Sequence, residues 1–354
     1  MKKILLLGEY SGVHTNLKEG LQEIGYDVTI ASGGDGKKKF KGDIDISLVG
    51  KFKISKFVHL KRILNSFAGY DLVQFINPYI SHKLGVLMYK HIYENNGPSF
   101  CLAAGDDVEF TRFTQNRGFS KYSPFDYELE NNIELPYSSI FDIYLHNKFM
   151  KNIKGIIPIM YEYAESYRSS VYKNKLKNTI AMPINLSSIK YTENRISNGK
   201  LKIYHGELRP LFKGTPYIKE AMGIIKSKYP NDVDILHAGI LPLQQYLDII
   251  KDTNVIMDQC RSYSYGMNAV YSMAQGKIVM SGSEKESLEE FGESSCPIIN
   301  IEPSTQQIVK QLELLIENRY RITELGEHSR KYVELKHSHI KIAKEYEESW
   351  ELKG

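Results

Sequence analysis

The stretch DQCRSYSYGMNAVYSMAQG, Asp258–Gly276, lies between two short apolar runs, Val255–Met257 and Lys277–Ser281. Both runs read as buried strands. Between them come a polar loop, Gly266, and then Met267, Val270, Met273 and Ala274 at helical spacing on one face. A strand, a glycine turn and a helix aimed back at the strand end make a backbone site for phosphate. The first amides of a helix have no internal partners, and its dipole is positive there. An ordinary βα unit would share this pattern, so the stretch alone is a hypothesis.

Working outward, the same alternation recurs. In the first half Ile4–Leu7, Val28–Ala31, Asp71–Ile76 and Phe100–Ala103 read as strands, and His14–Ile24 and Ser81–Glu94 as helices. Asn116–Leu135 is aromatic and acidic without a clean period and reads as an ordered excursion. A proline-bearing linker, AMPINLSSIKY, follows near Pro183. A second series then begins, with strands Leu201–Tyr204, Val233–Ala238, Val255–Met257 and Ile278–Ser281. Its helices are Tyr217–Ser227, Leu243–Lys251, Met267–Gln275, Thr305–Glu317 and Ile322–Lys331, and His339–Leu352 closes the chain. Strands alternating with helices predict parallel, doubly wound sheets. The expected fold class is α/β, with two Rossmann-like domains facing across a cleft. Residues 1–182 form the first domain and 183–336 the second, with 337–354 a helix returning toward the first. A chain of 354 residues exceeds what one core usually supports.

Composition narrows the classes. Hydrophobic residues make up 42% and charged residues 25%, a globular balance. The three cysteines, Cys101, Cys260 and Cys296, form no CxxC pair, which fits a reducing cytoplasm and speaks against a disulfide framework or zinc knuckle. The start, MKKILLLGEY, meets a glycine turn after four apolar residues, so it reads as a first strand rather than a signal peptide. No apolar stretch approaches the roughly 18 residues that would cross a bilayer. The 25 tyrosines suit either a sugar-contacting surface or a genome biased toward Tyr, Lys, Ile and Asn. Residues 37–62 carry nine basic side chains against Asp43 and Asp45, with Phe40, Phe52, Ile54, Phe57, Val58 and Leu60 interleaved. Such a segment could rest on anionic lipid or be a solvated face. No nucleic-acid module surrounds it, so a nucleic-acid partner is not expected.

Four strand-end loops carry chemistry. GEYSGVH, Gly8–His14, has two glycines but not the G-x-G-x-x-G spacing, and the second strand lacks the ribose-gripping acid, which disfavours a nicotinamide enzyme. Gly12 lets backbone approach a ligand; His14 either contacts that ligand or packs. In HGELRPLFKGT, His205–Thr215, Arg209 and Lys213 lie four apart before a helix start. A guanidinium fork and a mobile ammonium there suit a diphosphate, although a solvated basic turn reads the same. AAGDDVEF, Ala103–Phe110, offers Asp106 and Asp107 either as acid–base groups or as helix caps. The fourth loop is Asp258–Gly266. His328, His337 and His339 match no metal spacing and read as surface residues.

Taken together these segments resemble the GT-B glycosyltransferases, specifically the large retaining family 4. SGVHTNLKEGLQEIGYDVTI resembles its first βα unit, MPINLSSIKY its linker and HGELRPLFKGTPYIKEA its phosphate-binding R…KG segment. YGMNAVYSMAQGKIVMSG resembles its FG….EAMA.GKPV signature, and HSRKYVELKHSHIKIAKEYEESW its terminal helices. The resemblance implies that Arg209 and Lys213 hold the donor diphosphate, with the helix start at Gly266, Met267 and Asn268. It implies that Gly12 lies against the donor, beside the candidate His14, and that Asp106 lies near the transferred or accepting sugar. The reaction would need no metal and no cofactor beyond the nucleotide-sugar itself. The acceptor would be a surface glycan or a lipid-linked molecule, and the setting cytoplasmic or peripheral on the inner face of the membrane.

The sequence departs from the family where two glutamates, separated by seven residues, are usual. Those positions are Tyr263 and Tyr271. A phenol can donate to a ribose hydroxyl but cannot accept as a carboxylate does, leaving Asp258 as the nearest acid able to take over a catalytic role. Two readings therefore stand: a glycosyltransferase, or a non-catalytic homologue serving as a glycan-binding or partner subunit. An epimerase of the same architecture is a third, by fold analogy.

Overall fold

The structure, a computed structural model, describes residues 1–38, 40–47, 53–79, 85–116 and 120–352. Lys39, Lys51 and Phe52 of the basic segment lie outside the described residues, as do the first four residues of the helix predicted at Ser81–Glu94. The chain divides into two compact units. Unit 1 comprises Met1–Phe113, Glu134–Pro183 and His339–Gly354; unit 2 comprises Thr114–Ile133 and Ile184–Ser338.

Unit 1 is built on a parallel sheet of β1 (Lys3–Leu7), β2 (Asp27–Ser32), β3 (Ile44–Asp45), β4 (Leu72–Phe75), β5 (Ser99–Ala103) and β6 (Gly155–Pro158). Its strand order is β3-β2-β1-β4-β5-β6. In register, Leu5 pairs with Thr29 on one side and Val73 on the other. Helices cover both faces of such a sheet, so its central strands are apolar throughout: Ile4, Leu5, Leu6 and Leu7 are all buried. On one face Leu5, Leu7, Val73, Phe75, Cys101 and Ala103 pack beneath Phe67, Met88, Ile92, Phe149 and Met150. The alternate face carries Gln74, whose Oε1 accepts a hydrogen bond from Trp350 Nε1 at 2.8 Å. There the helix His339–Ser349 lies on the helix Val13–Glu23. A Cβ at Gly20 would sit 2.2 Å from the His339 carbonyl oxygen, so only glycine allows this approach.

Unit 2 holds β7 (Leu201–Gly206), β8 (Val233–Ala238), β9 (Val255–Met257), β10 (Ile278–Ser281) and β11 (Ile299–Asn300), again all parallel, in the order β11-β10-β9-β7-β8. Leu201, Ile203, Val255, Met257, Ile278 and Met280 pack against Ile218, Met222 and Ile225 of helix Thr215–Lys228 and against Ile308 and Leu312 of helix Thr305–Glu317. Strand β9 leads through its loop into the helix Met267–Ala274, and Gly326 of helix Ile322–Lys336 presses against Gly276. The predicted strand–glycine–helix reading of Asp258–Gly276 therefore describes the chain as folded.

Candidate functional site

In open parallel sheets, ligands bind beyond the carboxyl ends of the strands, where the strand order reverses direction. Each order above has one such point. In unit 1 it lies between β1 and β4, flanked by the loops that begin at Gly8 and Ile76. In unit 2 it lies between β7 and β9, flanked by Gly206–Gly214 and Asp258–Gly266. Three of the four loops singled out in the sequence flank these points. Gly105–Asp107 follows β5, one strand further out.

In unit 2 the two loops are tied together. The Cys260 amide donates to the Lys213 carbonyl at 3.0 Å. Gly214, at φ +76°, joins the short helix Pro210–Lys213 to Thr215–Lys228, and a Cβ there would fall 2.3 Å from Cys260 Sγ. Lys213 Nζ donates to Asp258 Oδ1 at 2.6 Å, with side-chain exposures of 11% and 1%. Ser281 Oγ donates to the other carboxylate oxygen at 3.3 Å. Burial holds His205 well below its ordinary range, at about 4. Its neutral ring donates from Nδ1 to the Met257 carbonyl at 2.8 Å and faces the Thr215 hydroxyl across 2.9 Å through Nε2, locking β7 to β9. Arg209 adopts the left-handed conformation at φ +52° and lays its guanidinium 3.7 Å above the Phe212 ring. Arg261 adds a third cation, over the Tyr217 ring at 5.4 Å and donating to the Leu211 carbonyl at 3.4 Å.

Tyr263, Ser264 and Tyr265 of the second loop are buried. Gly266, in extended backbone, caps the helix Met267–Ala274; Met267 and Tyr271 are buried, and Asn268 is half-buried. The Tyr263 hydroxyl accepts from the Lys121 amide, and its ring stacks on Tyr122 at 5.4 Å. The Tyr122 hydroxyl donates to Glu284 Oε1 at 2.8 Å, and Lys121 Nζ pairs with Glu284 Oε2 at 3.2 Å. Thus Lys121 and Tyr122, in the stretch Asn116–Leu135 that has no clean period in sequence, grip the loop that carries Tyr263.

In unit 1, Gly12 is left-handed at φ +87° and caps the helix Val13–Glu23. The Glu9 carboxylate accepts from the Gly12 amide at 2.9 Å, the Thr15 amide at 2.7 Å and the Thr15 hydroxyl at 2.6 Å. Amides at this helix start are therefore engaged by the chain's own acid, which burial raises to about 7. His14 is fully buried; Nδ1 donates to the Gly8 carbonyl at 2.8 Å, and burial lowers the ring to about 4. Asp106 is partly exposed beside Gly105, whose φ of +73° sets it against Tyr10. Its neighbour Asp107 is the cap: Oδ1 accepts from the Phe110 amide at 2.8 Å and Oδ2 from the Tyr167 hydroxyl at 2.5 Å. Burial raises Asp107 to about 7.

Two sequence expectations are corrected. His337 and His339 are buried, not on the surface. His337 Nε2 lies 3.0 Å from the Tyr265 hydroxyl, and His339 Nε2 lies 2.9 Å from Glu23 Oε1. Their charged sequence surroundings hid this, because the helices bury one face among acids and phenols. Asn77 was not anticipated: fully buried past β4, it donates to the Ala104 and Asp106 carbonyls at 2.9 and 3.2 Å and so shapes the Asp106 loop. A polar residue directly ending the apolar run Asp71–Ile76 was the available signal. Glu9, Arg261, Glu284 and the Lys121–Tyr122 pair were also missed. Among the described residues, no group of three or more His, Cys, Asp or Glu side chains could hold a metal ion.

No family profile and no curated protein sequence matches the chain. Solved structures do. Sucrose-phosphate synthase from Thermosynechococcus elongatus superposes with a TM-score of 0.68 at 12% identity, covering 99% of each chain. Anabaena HepE, in complex with UDP and glucose, gives 0.62 at 12% identity over 99% of this chain and 100% of its own. UDP-GlcNAc 2-epimerase from Neisseria meningitidis, bound to UDP-GlcNAc, gives 0.54 at 14% identity over all of both. The chain therefore has the GT-B fold, with a Rossmann-like parallel sheet in each unit.

Proposed function

We propose that this protein is a glycosyltransferase that takes a sugar from a nucleotide-sugar donor and passes it to a surface-glycan or lipid-linked acceptor in the cytoplasm. The observation that carries the reading is the joined pair of loops at the β7–β9 reversal. Three cations, Arg209, Lys213 and Arg261, sit on them, and a helix start at Gly266, Met267 and Asn268 follows. That arrangement suits a diphosphate, whose charge is met by guanidinium forks, an ammonium and unpaired peptide hydrogens without a metal. UDP in the HepE complexes and UDP-GlcNAc in the epimerase complex are ligands of the same chemistry.

In this reading the diphosphate displaces Asp258 from Lys213. The freed carboxylate then faces the transferred sugar, where the family's first glutamate would be. Tyr263 and Tyr271 approach the donor as hydrogen-bond donors rather than acceptors. Gly12, His14 and Asp106 belong to the acceptor-bearing domain, with Asp106 able to accept a sugar hydroxyl's proton.

Isothermal titration with UDP, followed by turnover of UDP-sugars, tests the proposal. Micromolar UDP binding and release of UDP from at least one sugar nucleotide are expected. No binding of any nucleoside diphosphate would sink it. A second reading, a homologue that binds but does not transfer, draws on Tyr263 and Tyr271 and on the closed Lys213–Asp258 pair. It expects UDP binding with no hydrolysis or transfer. Conversion of UDP-GlcNAc without an acceptor would instead mark an epimerase.

A further inference from the structure

Helix Ile140–Lys151 of unit 1 exposes an unusual face. Ile140 is 88% exposed, Tyr144 59% and Phe141 49%. Lys148 and Lys151 are exposed too. Ile140, Tyr144, Lys148 and Lys151 recur at the four-four-three spacing of one helical stripe, apolar at its start and basic at its end. The opposite stripe, with His146, Phe149 and Met150, is buried, and the helix's single acid, Asp142, is half-buried and held by Ser139 Oγ at 2.6 Å. The exposed stripe is thus not a misplaced core: the helix already has one.

The topology gives this face neighbours. Phe149 and Met150 share one core cluster with Met88 and Ile92 of helix Gly85–Asn95 and with Phe67, just past helix Lys53–Ile63. The three helices therefore cover the same face of the sheet. On the first of them Val58 is 50% exposed, and Lys61 and Arg62 are exposed as well. Between the two, Lys90 is paired with Glu94 at 3.7 Å and adds no net charge. The outer surface of unit 1 thus presents two basic helices, one of them with Ile140 and Tyr144 largely exposed.

We propose that this surface docks on an anionic lipid bilayer, and that helix Ile140–Lys151 is the element that enters it, Ile140, Phe141 and Tyr144 reaching the acyl boundary while Lys148 and Lys151 meet headgroup phosphates. Apolar contact and anionic attraction add in interfacial binding, and a helix with both on one face lies in the interface rather than crossing it. This gives a definite face to the peripheral setting that the resemblance implies, and its test does not depend on sugar transfer.

Co-sedimentation of the full chain with vesicles tests it, using phosphatidylcholine alone and phosphatidylcholine mixed equally with phosphatidylglycerol. The native chain is expected to pellet with the mixed vesicles and poorly with the neutral ones. Ile140→Asp with Tyr144→Asp should reduce partitioning by roughly tenfold or more, since apolar burial is lost. Lys148→Glu with Lys151→Glu should reduce it by at least about fivefold per lysine. Both pairs lie on the surface, and an unchanged thermal midpoint shows that each variant is folded. Independently, Tyr144→Trp should shift its emission to the blue on mixed vesicles, against the buried Trp350. Equal pelleting of the aspartate variant and the native chain would overturn the proposal, as would no pelleting of the native chain. So would a dimer in sedimentation velocity that the aspartate pair dissociates without any vesicle binding, because the face would then belong to a second copy.

Discussion

At the scale of the residue, the proposed donor site turns on Lys213 and Asp258. Their 2.6 Å pair is nearly dry, and leaving one partner of such a pair alone costs about 3 kcal/mol or more. A diphosphate that replaces Asp258 keeps Lys213 satisfied. Arg209→Ala and Lys213→Ala are therefore each expected to weaken UDP binding by about 1.5–3 kcal/mol. Asp258→Asn should behave in the opposite way, keeping or tightening UDP affinity while transfer falls by roughly 10²–10⁴. Calorimetry beside a turnover assay separates the two, and an Asp258→Asn protein that loses UDP as Lys213→Ala does would refute the assigned roles. Asp107, like Glu9, gives unit 1 a pH dependence. Its folded value, about 7, lies above the unfolded one, so the native chain holds a proton that the unfolded chain has lost. That stabilisation is complete at low pH and fades as pH climbs toward 7. Asp107→Asn keeps the cap and the Tyr167 contact without titrating. It is expected to gain on the native chain between pH 5 and pH 8 in urea denaturation; a gap independent of pH would contradict the assignment. The place of Arg209 and Lys213 in a turn before a helix start was legible in the sequence, because their spacing there is itself the signal. Glu9 and Asn77 were not, because an acid or amide beside a turn looks solvated until folding shows what surrounds it.

At the scale of the element, the strands of both sheets were legible wherever three or more apolar residues stood together, as in Ile4–Leu7 and Ile278–Met280. Strand β6, Gly155–Pro158, is a four-residue run ended by proline and was overlooked. The helices Ile140–Lys151 and Tyr161–Arg168 escaped for a different reason. They bury His146, Glu162 and Ser166 among apolar neighbours, and the first exposes Ile140, Phe141 and Tyr144, so an apolar template misreads their faces. The joint between helices Pro210–Lys213 and Thr215–Lys228 makes the sharpest test of an element. Gly214→Ala must hold alanine at φ +76° and press its methyl on Cys260. A loss of about 2 kcal/mol in stability and a weaker grip on UDP are expected together, read from a melting curve and a titration. Retention of native UDP affinity would show that the turn does not govern the cations beside it.

At the scale of the whole molecule, two Rossmann-like units share one chain that visits each more than once. The excursion Thr114–Ile133 leaves the first unit's sequence to brace Tyr263 in the second, and His339–Ser349 joins the sheet begun by Lys3–Leu7. Sequence periodicity reveals the sheets but not these crossings, because a segment's partners are set by distant residues. Trp350 is the anchor of the second crossing, buried with its indole on Gln74. Trp350→Ala is expected to cost about 3–5 kcal/mol, the range for removing a large buried ring, and to expose the amides of β1 and β4 before those of β7 and β9 in hydrogen exchange. Uniform exposure of both sheets would argue against that anchor.

The glycine contact between Gly20 and His339 carries one more implication, for synthesis. On a ribosome the sheet begun by Lys3–Leu7 precedes its last covering helix and stays without it until His339–Ser349 has been made. The intervening half can mature while the opening half waits, its partly clad strands needing shelter from neighbouring nascent chains. An arrest before Trp350 would release polypeptides in which the part translated earliest is the part left unfinished.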